Sequence, residues 1–589
     1  MGVGETANVL DFAIIGAGCA GSYAAWRLAN APESELTEHL GGESRAASIR
    51  LFESSGRVGG RLLTIKVPGS SHLAELGGMR FTSNQLLFRG LIQKIGERER
   101  SFDFETSFMY LRGRRLPSSI MSSGVCEACK GPTGFPYLLS DGEPYDPIRL
   151  AKLAILSGLL DITFDHPSGA VTKANQESAR EKLRSLSSAD GDRDLRLDRL
   201  NRLFLSAREW AAVKRTGRID NKPLYELGFW NLLQKYLSNE GFLLVHDALG
   251  YESILANWNA ADAIPWFLSD FGVDYLTVDS GMARIPRALV ASFSGESGDA
   301  FCDRHSLKTV ERVSADDRPA LQLSFDSGQS VVARNVILAL PKYALKQLEF
   351  KITSNSSMAA FHERLEDVTA HPLFKLFLGY ERAWWERAEA LGKPSGRTTT
   401  DLPIRQVYYF ERPPEQPSVR RIVMASYSDE HYVDFWRPLH KRASKPIYRS
   451  VDNLSADEED NLEAFGASHA MAESAHRQIA QLSPAVQDIP EPYVALVKDW
   501  TEAPFGGGWH SWNVHVKSWE SIEALVQPFG DVNLFVCGEA YSSEQGWVEG
   551  ALKSAELVLD KLGISPPAWI DQAEYSRLHC IDYRDYIRD

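Results

Sequence analysis

The sequence is short of cysteine, with six in 589 residues at positions 19, 126, 129, 302, 537 and 580. So few and so scattered, they exclude a disulfide-stapled scaffold. Cys126 and Cys129 are the one close pair. Without a second pair or nearby histidines they do not complete a zinc site, so no metal is expected. Long apolar runs are lacking too, since no stretch approaches the ~18 residues of a membrane span. Positive charge is in deficit, with a formal net charge of −14, and no basic run is interleaved with aromatics. Nucleic acid and anionic membrane surfaces are therefore excluded as partners. The opening Met1-Gly-Val-Gly-Glu-Thr-Ala-Asn lacks the basic-then-apolar layout of a signal peptide, and the closing Tyr583-Arg-Asp-Tyr-Ile-Arg-Asp is polar. A cytoplasmic protein is the expectation, a released soluble one the alternative.

What is present reads as ordinary globular protein, 44% hydrophobic and 24% charged. The length exceeds one core and calls for two or three lobes.

The most informative stretch is Asp11-Phe-Ala-Ile-Ile-Gly16-Ala-Gly18-Cys-Ala20-Gly21. An apolar strand runs into a glycine turn and then an alanine-rich helix, as in the first unit of a dinucleotide-binding domain. Gly16 permits the turn, Gly18 lets backbone approach a pyrophosphate, and Gly21 lets helix and strand pack closely. A second strand pattern ends at Glu53, whose carboxylate is placed to accept hydrogen bonds from adenosine ribose hydroxyls. The interval from Gly21 to Glu53 exceeds the usual ~20 residues, and the polar stretch 32–47 accounts for the excess as a surface loop. Glu53 would repel a 2′-phosphate, which leaves FAD or NAD.

The next residues, Arg57-Val-Gly59-Gly60-Arg61, form a second glycine turn between two guanidinium groups, which can grip a pyrophosphate by charge-assisted hydrogen bonds. This segment resembles the motif after the second strand in the flavin amine oxidase family, which includes monoamine, L-amino-acid and polyamine oxidases. Ala74-Glu75-Leu-Gly77-Gly78-Met79-Arg80-Phe81 is similar to that family's next block, which runs under the isoalloxazine ring. The resemblance implies FAD rather than NAD.

From about 146 to 271 apolar and charge-rich helical patterns alternate without strand alternation, which reads as an all-helical insert. Within it, Leu224 to Leu233 and Leu249-Gly250-Tyr251 resemble helical-lobe segments of amino-acid oxidases. Gly281-Met-Ala-Arg-Ile-Pro286 resembles the point where the family's chain returns to its FAD domain, and the apolar run 331–341 is a buried strand of that domain. The fold class is α/β (α+β): a discontinuous Rossmann-like FAD-binding domain (8–90, 276–345 and 526–565), a mixed-sheet substrate domain (91–130 and 346–525), a helical domain (131–275) and a tail (566–589).

Lys375 sits inside the apolar run 371–380, where its amine must be paired or hydrated. In the family a lysine here, ahead of a tryptophan such as Trp384 or Trp385, holds a water at the reactive edge of the flavin. The segments 400–409 and 424–427 continue the resemblance towards L-amino-acid oxidases. Gly538-Glu539 ends a strand with a carboxylate that can bond the ribityl chain, and Gly546-Trp547 opens a helix that ends at Gly563. In the family that helix end faces the flavin pyrimidine, where its partial positive charge stabilises reduced flavin.

The resemblance implies a reaction: hydride transfer from the Cα of an L-amino acid, hydrolysis of the imino acid to a 2-oxo acid and ammonia, and reoxidation by O2 to hydrogen peroxide. Arg80 would clamp the substrate carboxylate with Tyr427, and Lys375 would position water. Trp547 would form one aromatic wall, with Trp509 or His510 opposite it. No cysteine occurs from 500 to 513, where monoamine oxidases attach flavin, so FAD should be held non-covalently. Aromatic walls favour large apolar side chains. The segments 400–406 and 228–231 also resemble lysine and arginine oxidases, for which Asp401, Glu226 or Asp247 could be the selecting acid. The architecture also serves amino-acid 2-monooxygenases, amine oxidases without a carboxylate requirement and a few protein-binding flavoproteins. A homodimer is expected by analogy with relatives.

Overall fold

The computed structural model describes residues 9–43, 45–118, 135–167, 171–187, 193–203, 205–256, 258–270, 273–295, 300–352, 355–411, 419–440 and 454–570. The Cys126–Cys129 pair and the polar C-terminus lie outside these residues.

Leu10–Ile15, buried at every position, is the centre of an open parallel sheet. It pairs in parallel with Ile49–Phe52 on one side and with Ser330–Leu338 on the other. Phe301–Cys302 extends the first side, and Asn533–Val536 lies parallel to the C-terminal half of Ser330–Leu338. An antiparallel pair, Leu307–Ala315 and Arg318–Phe325, joins the other half of that strand. Strands burying both faces read as continuous apolar runs, which is why these segments were recognisable. Helices Cys19–Ala29, Arg284–Ser294 and Val548–Lys561 pack together against the sheet with one shared core. The nucleotide-binding unit is thus assembled from separate stretches of chain.

A seven-stranded sheet runs in the order Val494–Asp499, Leu373–Tyr380, Arg421–Asp429, Gln406–Tyr409, Gly396–Thr400, Thr106–Leu111 and Arg114–Pro117. Leu373–Tyr380 lies inside it and is buried at every position after Leu373, with Lys375 opposite Tyr427 in the register. A lysine here is enclosed on both sides by neighbouring strands.

The insert between the sheets has its own core. Its helices are well signalled: Asp146 caps Pro147–Leu160, Ser206 and Glu209 form a capping box on Ala207–Thr216, and Gly250 in the left-handed region ends Asn239–Leu249. It is not all-helical as expected. Thr163–Phe164, Gly217–Ile219 and Lys222–Pro223 form a small three-stranded sheet. Its hairpin turns at Asp220 and Asn221, both at positive φ, and its strands of two or three residues are too short to show alternation. Among the described residues no helix is long and apolar enough to cross a membrane.

Candidate active site

One cavity of about 980 Å³ opens between these units, at the top of the ~300–1,000 Å³ range of small-molecule sites. Gly16, Gly18, Ala20 and Glu53 line it, and so do Arg80, Lys375, Tyr427, Trp509 and Trp547. The predicted nucleotide and substrate residues therefore share one chamber.

Two long helices start on its wall without side-chain caps. Cys19–Ala29 begins after Gly18 and Val548–Lys561 after Trp547, and neither start is closed by a side-chain hydrogen bond. Their first backbone N–H groups have no partner within the helix, and their dipoles attract negative charge. Between the two glycine turns a Cβ on Gly60, which sits at φ +56°, would come within 3.0 Å of the Gly18 Cα, so the close approach of the turns that make this cradle requires glycine at 60. Glu53, beyond the first turn, accepts from the Ala17 N–H at 2.8 Å and the Ser55 N–H at 2.9 Å, which fixes its carboxylate beside the cradle. The residues present fit FAD: an acid for ribose, backbone donors for pyrophosphate and a second helix start for a flavin carbonyl.

The two guanidinium groups line the cavity and are fixed by protein acceptors. Arg57 donates to the carbonyls of Gly60 at 2.6 Å and Leu62 at 3.0 Å, bracing the glycine turn. Arg61 donates to Glu539 at 2.6 Å and to the Gly508 carbonyl at 3.1 Å. The Glu539 carboxylate, also on the cavity wall, is held by several protein donors. It also accepts the backbone N–H groups of His510 and Gly546 and contacts the His510 ring at 2.9 Å. Burial would raise this carboxyl, but Arg61 and then His510 overcome that and hold it far below its usual value.

Gly78 and Met79 line the cavity, and behind them lies a buried pair. Lys375 donates to the main-chain carbonyls of Glu75 at 3.1 Å and Gly77 at 2.5 Å, with its amine 4.7 Å from the Tyr427 ring centre. Glu75 in turn accepts from the Met282 N–H and the Thr64 hydroxyl. Burial lowers the Lys375 ammonium and raises the Glu75 carboxyl, each partly offset by the other. Trp384 and Trp385 are packed in the core of the second sheet and do not reach the cavity.

Arg80 is the cation at the other end. Its Nη1 donates to Tyr408 at 3.0 Å and its Nη2 to Tyr251 at 3.1 Å, while its plane lies 4.3 Å from the Phe104 ring centre and 4.8 Å from that of Tyr275. Its Nε is buried with no hydrogen-bond partner, and among the described residues no carboxylate is paired with it. Tyr427 stands edge-on to Tyr251 at 5.2 Å.

Trp509, not His510, forms the aromatic wall. Trp509–Trp512 is a strand, so consecutive side chains point to opposite faces. Trp509 lines the cavity, stacks on His371 at 4.6 Å and on Trp266 at 6.0 Å, and donates to the Ser253 hydroxyl at 3.1 Å. His510 is fully buried behind it, and burial lowers its imidazole.

The three acids considered for side-chain selection are not on the wall. Asp401 accepts the Arg112 N–H, Asp247 is held by Tyr137 and His246, and Glu226 does not line the cavity. Asp270, one helical turn beyond Trp266, does line it, and so does Trp266. Sequence reasoning missed Tyr408, Trp266 and Asp270 as site residues and read Tyr251 only as a helical-lobe feature. The four-residue spacing of Trp266 and Asp270 on one helix was the available signal.

The chain is 25% identical to Aplysianin-A of Aplysia kurodai, over 94% of this chain and 90% of that protein. It is 22% identical to L-amino-acid oxidase 4 of Hebeloma cylindrosporum, over 94% and 82%. A solved structure of putrescine oxidase superimposes with a TM-score of 0.54 at 16% identity, covering 94% of this chain and 99% of that one. A family model described as flavin containing amine oxidoreductase matches residues 23–558, and the chain belongs to that family of flavoprotein oxidoreductases.

Proposed function

We propose that the protein is an FAD-dependent L-amino-acid oxidase acting on substrates with large apolar or aromatic side chains. The observation that carries this reading is Arg80: a guanidinium on the cavity wall, paired with neutral tyrosines, with a buried N–H left open. A buried cation without an acid is costly. A substrate carboxylate supplies the missing charge and accepts two parallel hydrogen bonds. An amine without a carboxylate leaves the cost in place.

When bound, FAD supplies the two-electron acceptor, and O2 restores it with release of hydrogen peroxide. Holding FAD falls to the glycine cradle, Glu53 and the two helix starts, without a covalent link. Arg80, with Tyr427 and Tyr251 beside it, fixes the substrate carboxylate and with it the direction of the Cα hydrogen. Trp266, Trp509 and Trp547 enclose an apolar side chain and exclude water. Lys375, its amine tied to the Gly77 carbonyl, holds a water on the flavin side for the later steps.

The purified protein given L-phenylalanine or L-leucine in air should release hydrogen peroxide and the matching 2-oxo acid in equal amounts. An amide product in place of the 2-oxo acid, or peroxide from simple amines alone, contradicts the reading.

A further inference from the structure

Among the described residues, Asp270 stands apart from the other carboxylates on the cavity wall. Glu53 and Glu539 are occupied by protein donors, and Asp326 accepts from the Ser306 N–H. Asp270 is 5% exposed, and its Oδ1 is buried without a hydrogen-bond partner. Buried carboxylate oxygens are normally satisfied, so an unsatisfied one on a residue that lines the chamber calls for a donor from the ligand. The helix Ala260–Asp270 delivers it to the wall together with Trp266. Tyr275 donates to the Asp270 main-chain carbonyl at 2.9 Å, which pins that helix end.

The charged and titratable groups that face Asp270 are Arg80, Arg397, Tyr275 and Glu544. Arg80, the Tyr275 hydroxyl and Arg397 stabilise its charge, Glu544 opposes it, and among the described residues no ion pair joins it to either arginine. Arg397 donates to Thr106 and Gln406. The wall thus offers a guanidinium paired with no acid, Arg80, and a carboxylate oxygen without a donor, on Asp270. An α-amino acid carries the complementary pair on adjacent atoms.

Resting on the L-amino-acid reading above, we propose that Asp270 Oδ1 accepts the proton of the substrate α-ammonium and so prepares the amine for oxidation. An N–H bond of the ammonium breaks, an Oδ1–H bond forms, and the electron pair stays on nitrogen as a lone pair. That lone pair is what permits loss of the Cα hydrogen as hydride, since an ammonium has none to donate. The proton passes to solvent when the product leaves. Burial is the largest influence on the Asp270 carboxyl and pushes it up to about 6, near the pH at which a base is most effective. Docking the substrate carboxylate on Arg80 neutralises the charge that had favoured ionised Asp270, which strengthens the base as the substrate arrives.

The test is anaerobic flavin reduction by L-leucine, L-phenylalanine and L-lysine in the FAD-loaded wild type, Asp270→Asn and Asp270→Glu, across pH. Asp270→Asn should lose about 100-fold in reduction rate at pH 7 and recover at higher pH in proportion to the free-amine fraction, with Asp270→Glu restoring part of the rate. Benzoate, which carries a carboxylate and no ammonium, should perturb the flavin spectrum of Asp270→Asn at concentrations similar to wild type. If Asp270→Asn does not retain FAD, the wild type alone decides: its reduction rate should fall below about pH 6, and a profile without that bend overturns the proposal. A wild-type rate in Asp270→Asn, a loss equal at every pH, or a loss confined to L-lysine also overturns it, the last making Asp270 a side-chain selector. If only simple amines reduce the wild type, the amino-acid reading fails. The same pH comparison with that amine still decides Asp270, because an amine also arrives as an ammonium.

Discussion

Arg80 and Tyr251 are 171 positions apart in sequence and meet at 3.1 Å, Nη2 to hydroxyl. The arginine comes from the loop before Phe81 and the tyrosine from the helical insert just past the Gly250 helix stop. The contact brings an element of the insert onto the proposed carboxylate clamp, so the insert takes part in substrate binding as well as covering the cavity.

Tyr251→Phe removes one hydrogen bond from that guanidinium and keeps the ring against Tyr427. A hydrogen bond of this kind contributes about 0.5–1.5 kcal/mol. Steady-state kinetics should show KM for L-amino acids raised about threefold to tenfold with FAD content unchanged. An unchanged KM would mean that Tyr251 does not orient Arg80.

Two glycines of one motif should fail in different ways. A Cβ on Gly18 meets only the Gly60 Cα at 3.8 Å, an ordinary contact, whereas one on Gly21 would sit 1.9 Å from the Gly16 carbonyl oxygen. Gly18→Ala should therefore fold with a near-normal Tm but elute from gel filtration depleted of flavin. Gly21→Ala should destabilise the fold itself, by roughly 1–3 kcal/mol or more for overpacking. Equal Tm losses in both variants would show that the Gly18 cradle serves packing rather than a ligand.

Lys375→Met leaves the Glu75 and Gly77 carbonyls without their donor, at about 1–3 kcal/mol in stability. Stopped-flow should find flavin reduction by substrate little altered and reoxidation by O2 slowed about 100-fold. Unaltered reoxidation would remove Lys375 from the oxidative half of the cycle.

Glu539 makes the fold sensitive to acid. Burial alone would raise its carboxyl, but Arg61 and His510 bring the folded-state value well below the ordinary 4.5. The carboxylate therefore stabilises the fold fully above pH 4.5, and that contribution is lost as pH falls below it. Urea unfolding should show Glu539→Gln destabilised by about 3–5 kcal/mol at pH 7, since Arg61 is left unpaired, and with a flatter loss of stability below pH 4.5 than wild type. Parallel pH profiles would contradict the assignment.

Much of this was legible in the sequence because local chemistry carries it. The glycine turn from Gly16 to Gly21 and the helix ended by Gly563 are written in consecutive residues, and a lysine in an apolar run announces a buried amine. The Trp509 and His510 ambiguity came from the glycine run 506–508, which hides where strand alternation starts. Tyr251, Tyr408 and Asp270 were not legible as one site, because only packing of the insert against the second sheet brings Tyr251 and Asp270 to the chamber wall and Tyr408 onto Arg80. Arg57, Arg61 and Glu539 were read as ligand contacts on type and position. Which partners such a charge takes depends on packing: Arg61 meets the Gly508 carbonyl and Glu539, 447 and 478 positions away.

The most direct test of the central claim is anaerobic bleaching of the flavin in wild type and Arg80→Met by matched pairs, such as L-phenylalanine against phenethylamine and L-leucine against isoamylamine. The account predicts that L-amino acids bleach the wild type far faster than their amines, and that Arg80→Met abolishes this advantage while leaving the amine rates nearly unchanged. Wild type bleached as fast by the amines, or an Arg80→Met that keeps the preference for L-amino acids, would contradict it.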